Sequence, residues 1–144
     1  MNKILLVEDE IDQLRMLELA FKSSGYEIIL ASSGEEGYVK AQEQKPDLII
    51  SDILMPHTSG LELCKKLKGN AQFSDTPIII TTALYKGEDY TKMAKAHGAD
   101  AVFSKPYNIQ ELLQTARTLL ATGSSQESSS DEEGKNYPLD LGDA

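Results

Sequence analysis

Four apolar runs in this chain end abruptly in groups that can do chemistry. Ile4-Leu5-Leu6-Val7 stops at Glu8-Asp9, Leu48-Ile49-Ile50-Ser51 at Asp52, Ile78-Ile79-Ile80-Thr81 at Thr82, and Ala101-Val102-Phe103-Ser104 at Lys105-Pro106. Three carboxylates brought to one place repel each other unless a cation joins them. Carboxylate oxygens with water suit Mg2+, a hard ion that keeps part of its hydration shell. A hydroxyl and an ammonium facing a metal-bound carboxylate suit a phosphoryl group. The cations neutralise its oxygens, the hydroxyl donates to one of them, and the carboxylate is placed to attack phosphorus. Taken singly, an Asp after a strand is an ordinary turn former, Lys-Pro an ordinary loop and Thr82 an ordinary strand residue. Their recurrence at the ends of successive apolar runs is what carries the reading.

The elements that would bring these ends together follow from periodicity. Residues 4–7, 26–31, 48–51, 78–82 and 101–104 read as five buried strands, and between them the apolar period becomes helical. Ile11, Leu14, Leu17 and Phe21 share one face of a first helix that stops at Gly25. Ser33-Gly-Glu-Glu36 has capping-box spacing and opens a second helix that runs to about Gln44. Ser59-Gly-Leu-Glu62 opens a third, with Leu61, Cys64 and Leu67 as its apolar stripe. A fourth, from about Glu88 to His97 and closed by Gly98, has a thin apolar face of Met93, Ala94 and Ala96. Asn108-Ile-Gln-Glu111 caps a fifth, whose buried side is Leu112, Leu113, Ala116, Leu119 and Leu120. Such a β-α repeat implies an α/β fold with a five-stranded parallel sheet and helices on both faces. Right-handed crossovers make the flavodoxin-like, doubly wound order 2-1-3-4-5 the expected one. Its switch point lies between strands 1 and 3, where Glu8, Asp9 and Asp52 fall, and strands 4 and 5 add Thr82 and Lys105 to the same edge.

The acidic pair Glu8-Asp9, Asp52-x-x-Met55-Pro56 followed by Gly60, Thr82-Ala83 after an apolar strand, and Lys105-Pro106 together resemble the receiver domain of bacterial two-component response regulators over residues 2–121. The resemblance implies that Asp52 accepts a phosphoryl group from the phosphohistidine of a histidine kinase or phosphotransfer protein. It implies Mg2+ bound by Asp9 and Asp52, by Glu8 through water, and by the backbone carbonyl of Leu54. Thr82 and Lys105 would hold the phosphoryl oxygens, and Lys105-Pro106 would be a cis peptide, the one bond type with a small cis penalty. The chain would then be a switch in partner binding and not an enzyme with its own substrate turnover. Its signal would pass through the face of helix 4, strand 5 and helix 5 to a downstream protein or a tethered output domain. One departure matters. The family's aromatic switch residue, three positions before the lysine, is Val102 here, and alternation points the neighbouring Phe103 to the other face. That leaves the face to signal by backbone movement. Glu8 in place of an Asp is a lesser departure, compatible with water-mediated metal binding.

Two other classes are weighed against this. An Mg2+-dependent aspartyl phosphohydrolase of the haloacid-dehalogenase kind would carry Asp-x-Asp on its first strand, which Glu8-Asp9-Glu10 does not supply. A flavodoxin-like cofactor carrier would need Gly, Ser or Thr in that loop, and no Gly-x-Gly-x-x-Gly occurs. His57 reads as an exposed loop residue, His97 as a cation suited to a helix C-terminus, and the single Cys64 as a core residue of a protein from a reducing compartment. A net charge of −9 argues against non-specific binding to nucleic acid or anionic lipid. With no membrane-spanning stretch and no signal-peptide core, a cytoplasmic location is expected. Residues 1–122 are expected to form the receiver domain and 123–144, with six acids, one lysine and many serines, a disordered tail or linker. That tail is too short for a DNA-reading or catalytic unit. An N-terminal piece of a longer regulator is the alternative expectation.

Overall fold

A computed structural model describes residues 2–53, 59–83 and 91–122. In chain order it contains β1 (Lys3–Val7), α1 (Ile11–Ser23), β2 (Glu27–Ala31), α2 (Gly34–Gln44), β3 (Leu48–Asp52), α3 (Gly60–Lys68), a single 3-10 turn (Ala71–Phe73), β4 (Ile78–Ala83), α4 (Thr91–Ala96), β5 (Ala101–Lys105) and α5 (Ile109–Thr122). All strand pairs are parallel, in the order β2-β1-β3-β4-β5. The expected flavodoxin-like topology is the observed one.

The strands are apolar throughout because both of their faces are covered. Odd positions of β1 (Leu5, Val7) and their counterparts Ile49, Ile80 and Val102 pack under α2, α3 and α4 through Ala41, Leu63, Cys64, Leu67 and Ala94. Even positions (Ile4, Leu6) join Leu48, Ile50, Ile79 and Phe103 beneath α1 and α5, which contribute Leu14, Leu17, Phe21, Leu112, Leu113 and Ala116. Val102 and Phe103 thus lie on opposite faces, as strand alternation requires.

Several helix faces differ from the periodic reading. Ile11, the first residue of α1, is 59% exposed. In α3 the interior position belongs to Leu63, and Leu61 is half-buried at the margin. In α4 only Ala94 is buried: Met93, Ala94 and Ala96 are spread around most of a turn and cannot all face the sheet. Leu119 and Leu120, in the last turns of α5, are half-buried against the core. The 3-10 turn has no helical or alternating pattern to announce it, yet it buries Phe73.

The caps hold better. Ser59 and Glu62 form the full reciprocal box, the Ser59 hydroxyl accepting from Glu62 N (3.1 Å) and the Glu62 carboxylate from Ser59 N (3.3 Å). At α2 the Ser33 hydroxyl accepts from Glu36 N, but the Glu36 carboxylate reaches one residue further back, to Ser32 N (2.8 Å). Asn108 Oδ1 accepts from Gln110 N and Glu111 N and so starts α5. Gly98, at φ +106, closes α4 with Ala99 N donating to Ala94 O. Its lack of a Cβ lets the Lys68 stem pass against it. Lys68 then ties α3 to the starts of β4 and β5, donating to Thr76 O (2.7 Å) and pairing with Asp100 (3.4 Å). No helix among the described residues is long and apolar enough to cross a membrane.

Candidate functional site

At the carboxyl edge of the sheet the chain turns from β1 into α1 through Glu8-Asp9-Glu10. Glu8 is only 2% exposed, its Oε2 accepting from Glu10 N (3.1 Å), while Asp9 faces solvent. Next to it β3 ends in Asp52, 8% exposed and paired in register with Thr81 of β4. One carboxylate oxygen from each of Glu8, Asp9 and Asp52 lies within 4.8 Å of the others. Lys105, at the end of β5, reaches across two strands to sit 3.3 Å from Glu8 Oε1 and 3.3 Å from Asp52 Oδ2. Lys105-Pro106 is cis. Of the groups that sequence placed at separate strand ends, Glu8, Asp9, Asp52 and Lys105 meet.

Why Asp52 is held there is a matter of backbone. Ile53 N donates to Thr81 O (2.8 Å) and Gly60 N to Ile53 O (2.9 Å), so the start of α3 is stitched to the end of β3. A Cβ on Gly60 would overlap the Asp52 carbonyl, which is the physical requirement behind a glycine at that spacing. Ser51 Oγ donates to the same carbonyl at 2.9 Å.

Electrostatically the site is short of positive charge. Three carboxylates face the single Lys105 ammonium, an excess of two negative charges among the described residues. Burial raises the pKa of Glu8 above its ordinary value and the charge of Asp52 raises it further, with the Glu10 N–H and Lys105 pulling the other way. A set of hard oxygen donors under mutual repulsion, open to water on the Asp9 side, fits a divalent cation. The acidic cluster could hold one.

Thr82 lies on the same rim, 1% exposed, with its hydroxyl donating to Ala83 O (3.3 Å) and not to a carboxylate. Val102 is fully buried under α4, in the core with Ile80 and Ala94. The backbone carbonyl of Leu54, Met55-Pro56, His57, the first turn expected of the fourth helix and the segment 123–144 lie outside the described residues. His97 ends α4 with Nδ1 2.8 Å from Met93 O.

Tyr107 escaped the sequence reading. Its ring meets Phe103 edge-on (centroids 6.1 Å, 75° between planes), and its phenol is pushed up to about 12, first by burial and then by the charges of Glu8 and Asp52. It therefore stays a protonated O–H, within reach of the field of the two acids. The available signal was its place four residues after Phe103 and two after Lys105.

The family model described as the response regulator receiver domain matches residues 4–117. The response regulator ArlR of Staphylococcus saprophyticus is 40% identical over 121 residues, covering 83% of this chain and 53% of that protein. The chain thus spans about half the length of the curated relatives it matches. Among solved structures, the chemotaxis response regulator CheY4 of Vibrio cholerae superposes with a TM-score of 0.74 at 34% identity, covering 83% of this chain and 98% of that one. The signal receiver domain of a signal transduction histidine kinase from Syntrophus aciditrophicus does so with 0.79 at 31%, covering 92% and 99%.

Proposed function

This chain belongs to the response regulator receiver domain family, and on that premise we propose that Asp52 is its phosphoacceptor. The donor is a phosphohistidine of a histidine kinase or phosphotransfer protein. The observation that carries the reading is the meeting of Asp52 with Glu8 and Asp9 under the Lys105 ammonium at a strand end.

A carboxylate oxygen of Asp52 attacks phosphorus, an O–P bond forms and the P–N bond breaks. Its electron pair goes to the imidazole nitrogen, which leaves neutral because the other ring nitrogen keeps its proton. Lys105, now shared between Glu8 and Asp52, turns toward the transferred oxygens, and the Thr82 hydroxyl exchanges the Ala83 carbonyl for one of them. Asp9 and Asp52 would hold Mg2+ directly, Glu8 through water, with the carbonyl of Leu54 as a further ligand. When bound, the ion neutralises phosphoryl charge that the single ammonium cannot. Hydrolysis of the acyl phosphate returns the carboxylate and inorganic phosphate, so the domain resets itself without turning over a separate substrate.

Phosphorylation then biases the face formed by α4, β5 and α5 between two partner-binding states. With Val102 in place of an aromatic residue, that bias passes through backbone and packing at β4, β5 and α4. The receiver of a longer regulator with a tethered output unit fits the half-length match to ArlR. Incubation with Mg2+ and acetyl phosphate should yield acid-labile phosphate on the wild type and none on Asp52→Asn. Equal labelling of the two would end the assignment.

A further inference from the structure

Among the described residues Ser104 Oγ is out of contact with solvent and has no hydrogen-bond partner. A buried hydroxyl in that position loses its water and recovers nothing, so it calls for an explanation. Ser104 of β5 is in register with Thr82 of β4, and neighbouring strands run about 4.8 Å apart. Ile80 and Val102, two residues earlier on each strand, both belong to the core under α2, α3 and α4. Alternation therefore puts the Thr82 and Ser104 side chains next to one another on that same face. The Thr82 hydroxyl is committed as a donor to Ala83 O, yet a hydroxyl also accepts through two lone pairs.

Deepening the reading of Asp52 and Thr82 above, on which this rests, we propose that Ser104 is a positioning residue of the phosphorylated state: it donates to Thr82 Oγ1 while Thr82 donates to the phosphoryl group. The chain Ser104 O–H to Thr82 O–H to phosphoryl oxygen gives the orphaned hydroxyl its partner, and each bond polarises the next. It also joins β5 to the phosphoryl group by a route that needs no aromatic side chain at position 102.

Binding of beryllium fluoride with Mg2+, a stable mimic of a phosphoryl group on a carboxylate, tests this in the full chain. Ser104→Ala should weaken the mimic roughly threefold to tenfold, the worth of one hydrogen bond, and Ser104→Thr should restore most of the loss. In a Thr82→Ala background Ser104→Ala should cost nothing further, because the two hydroxyls act as one unit. Without the mimic, Ser104→Ala should melt at the wild-type temperature or above it, since it removes an unpaired polar atom. Wild-type affinity in Ser104→Ala, an equal loss in both backgrounds, or a lower melting temperature without the mimic would each overturn the proposal. Wild-type protein that binds no mimic, or Asp52→Asn that binds it equally well, would overturn the Asp52 reading and this proposal with it.

Discussion

Lys105 and Glu8 decide the electrostatics of the rim. Lys105→Ala leaves two buried carboxylates facing each other, and removing one partner of a buried pair costs more than the pair itself contributes. A loss of about 1–3 kcal/mol is expected from urea denaturation of metal-free protein. Glu8 contributes to the pH dependence, alongside Asp100, whose pKa burial also raises, and Glu36, whose pKa its hydrogen bonds lower. The Glu8 pKa is raised from 4.5 chiefly by burial and then by Asp52, so the folded state holds its proton longer than the unfolded chain does. Stability from this group is full below about 4.5 and is lost as pH rises through the folded value. Metal-free wild type should therefore show a falling Tm across that window and Glu8→Gln a flatter profile; parallel profiles would remove Glu8 as the source. Cys64 offers a separate check. Burial pushes its thiol up to about 12 and its Sγ lies 3.3 Å from His97 O beneath α4. A disulfide reagent at pH 8 should modify it only as fast as the protein unfolds, because the thiolate is the reactive form.

At the scale of elements, α3 is the piece that holds the acceptor still. Gly60→Ala forces its first turn away from the Asp52 carbonyl. Overpacking of this kind costs about 1–3 kcal/mol, and the backbone that must shift is the acceptor's own. Both lower stability and lower phosphate incorporation are expected. Ser59→Ala, one residue away, removes the cap alone, costing about 1 kcal/mol while incorporation stays at the wild-type level. Equal incorporation by the two variants would mean that the close approach at Gly60 matters only for folding. The capping residues of α2, α3 and α5 were all legible in the sequence, because a cap is local chemistry between residues three apart. The apolar stripes were legible only in part. Periodicity places residues on a face but not along the sheet, so Ile11 at one end of α1 and Met93 beside Ala94 came out exposed.

For the molecule as a whole, the unbalanced acidic cluster makes stability a function of divalent cation. A ligand at one hundred times its Kd adds about 2.7 kcal/mol. Mg2+ at that excess should raise the wild-type Tm by several degrees and leave Asp9→Asn unmoved; an equal rise in both would place the ion elsewhere. The sequence by itself determined the strand order and the inventory of the rim. Apolar runs that end in Glu8-Asp9, Asp52, Thr82 and Lys105 are local facts, and the handedness of β-α-β crossovers turns them into one sheet with one chemical edge. Only the tertiary structure decided who touches whom there. Lys105 bridges Glu8 and Asp52, Tyr107 packs edge-on against Phe103 from beyond the cis peptide, Gly60 abuts the Asp52 carbonyl, and Ser104 lies in register with Thr82 without a partner. Those relations depend on register between strands and on the packing of loops from distant parts of the chain. Periodicity within a single segment carries no record of either.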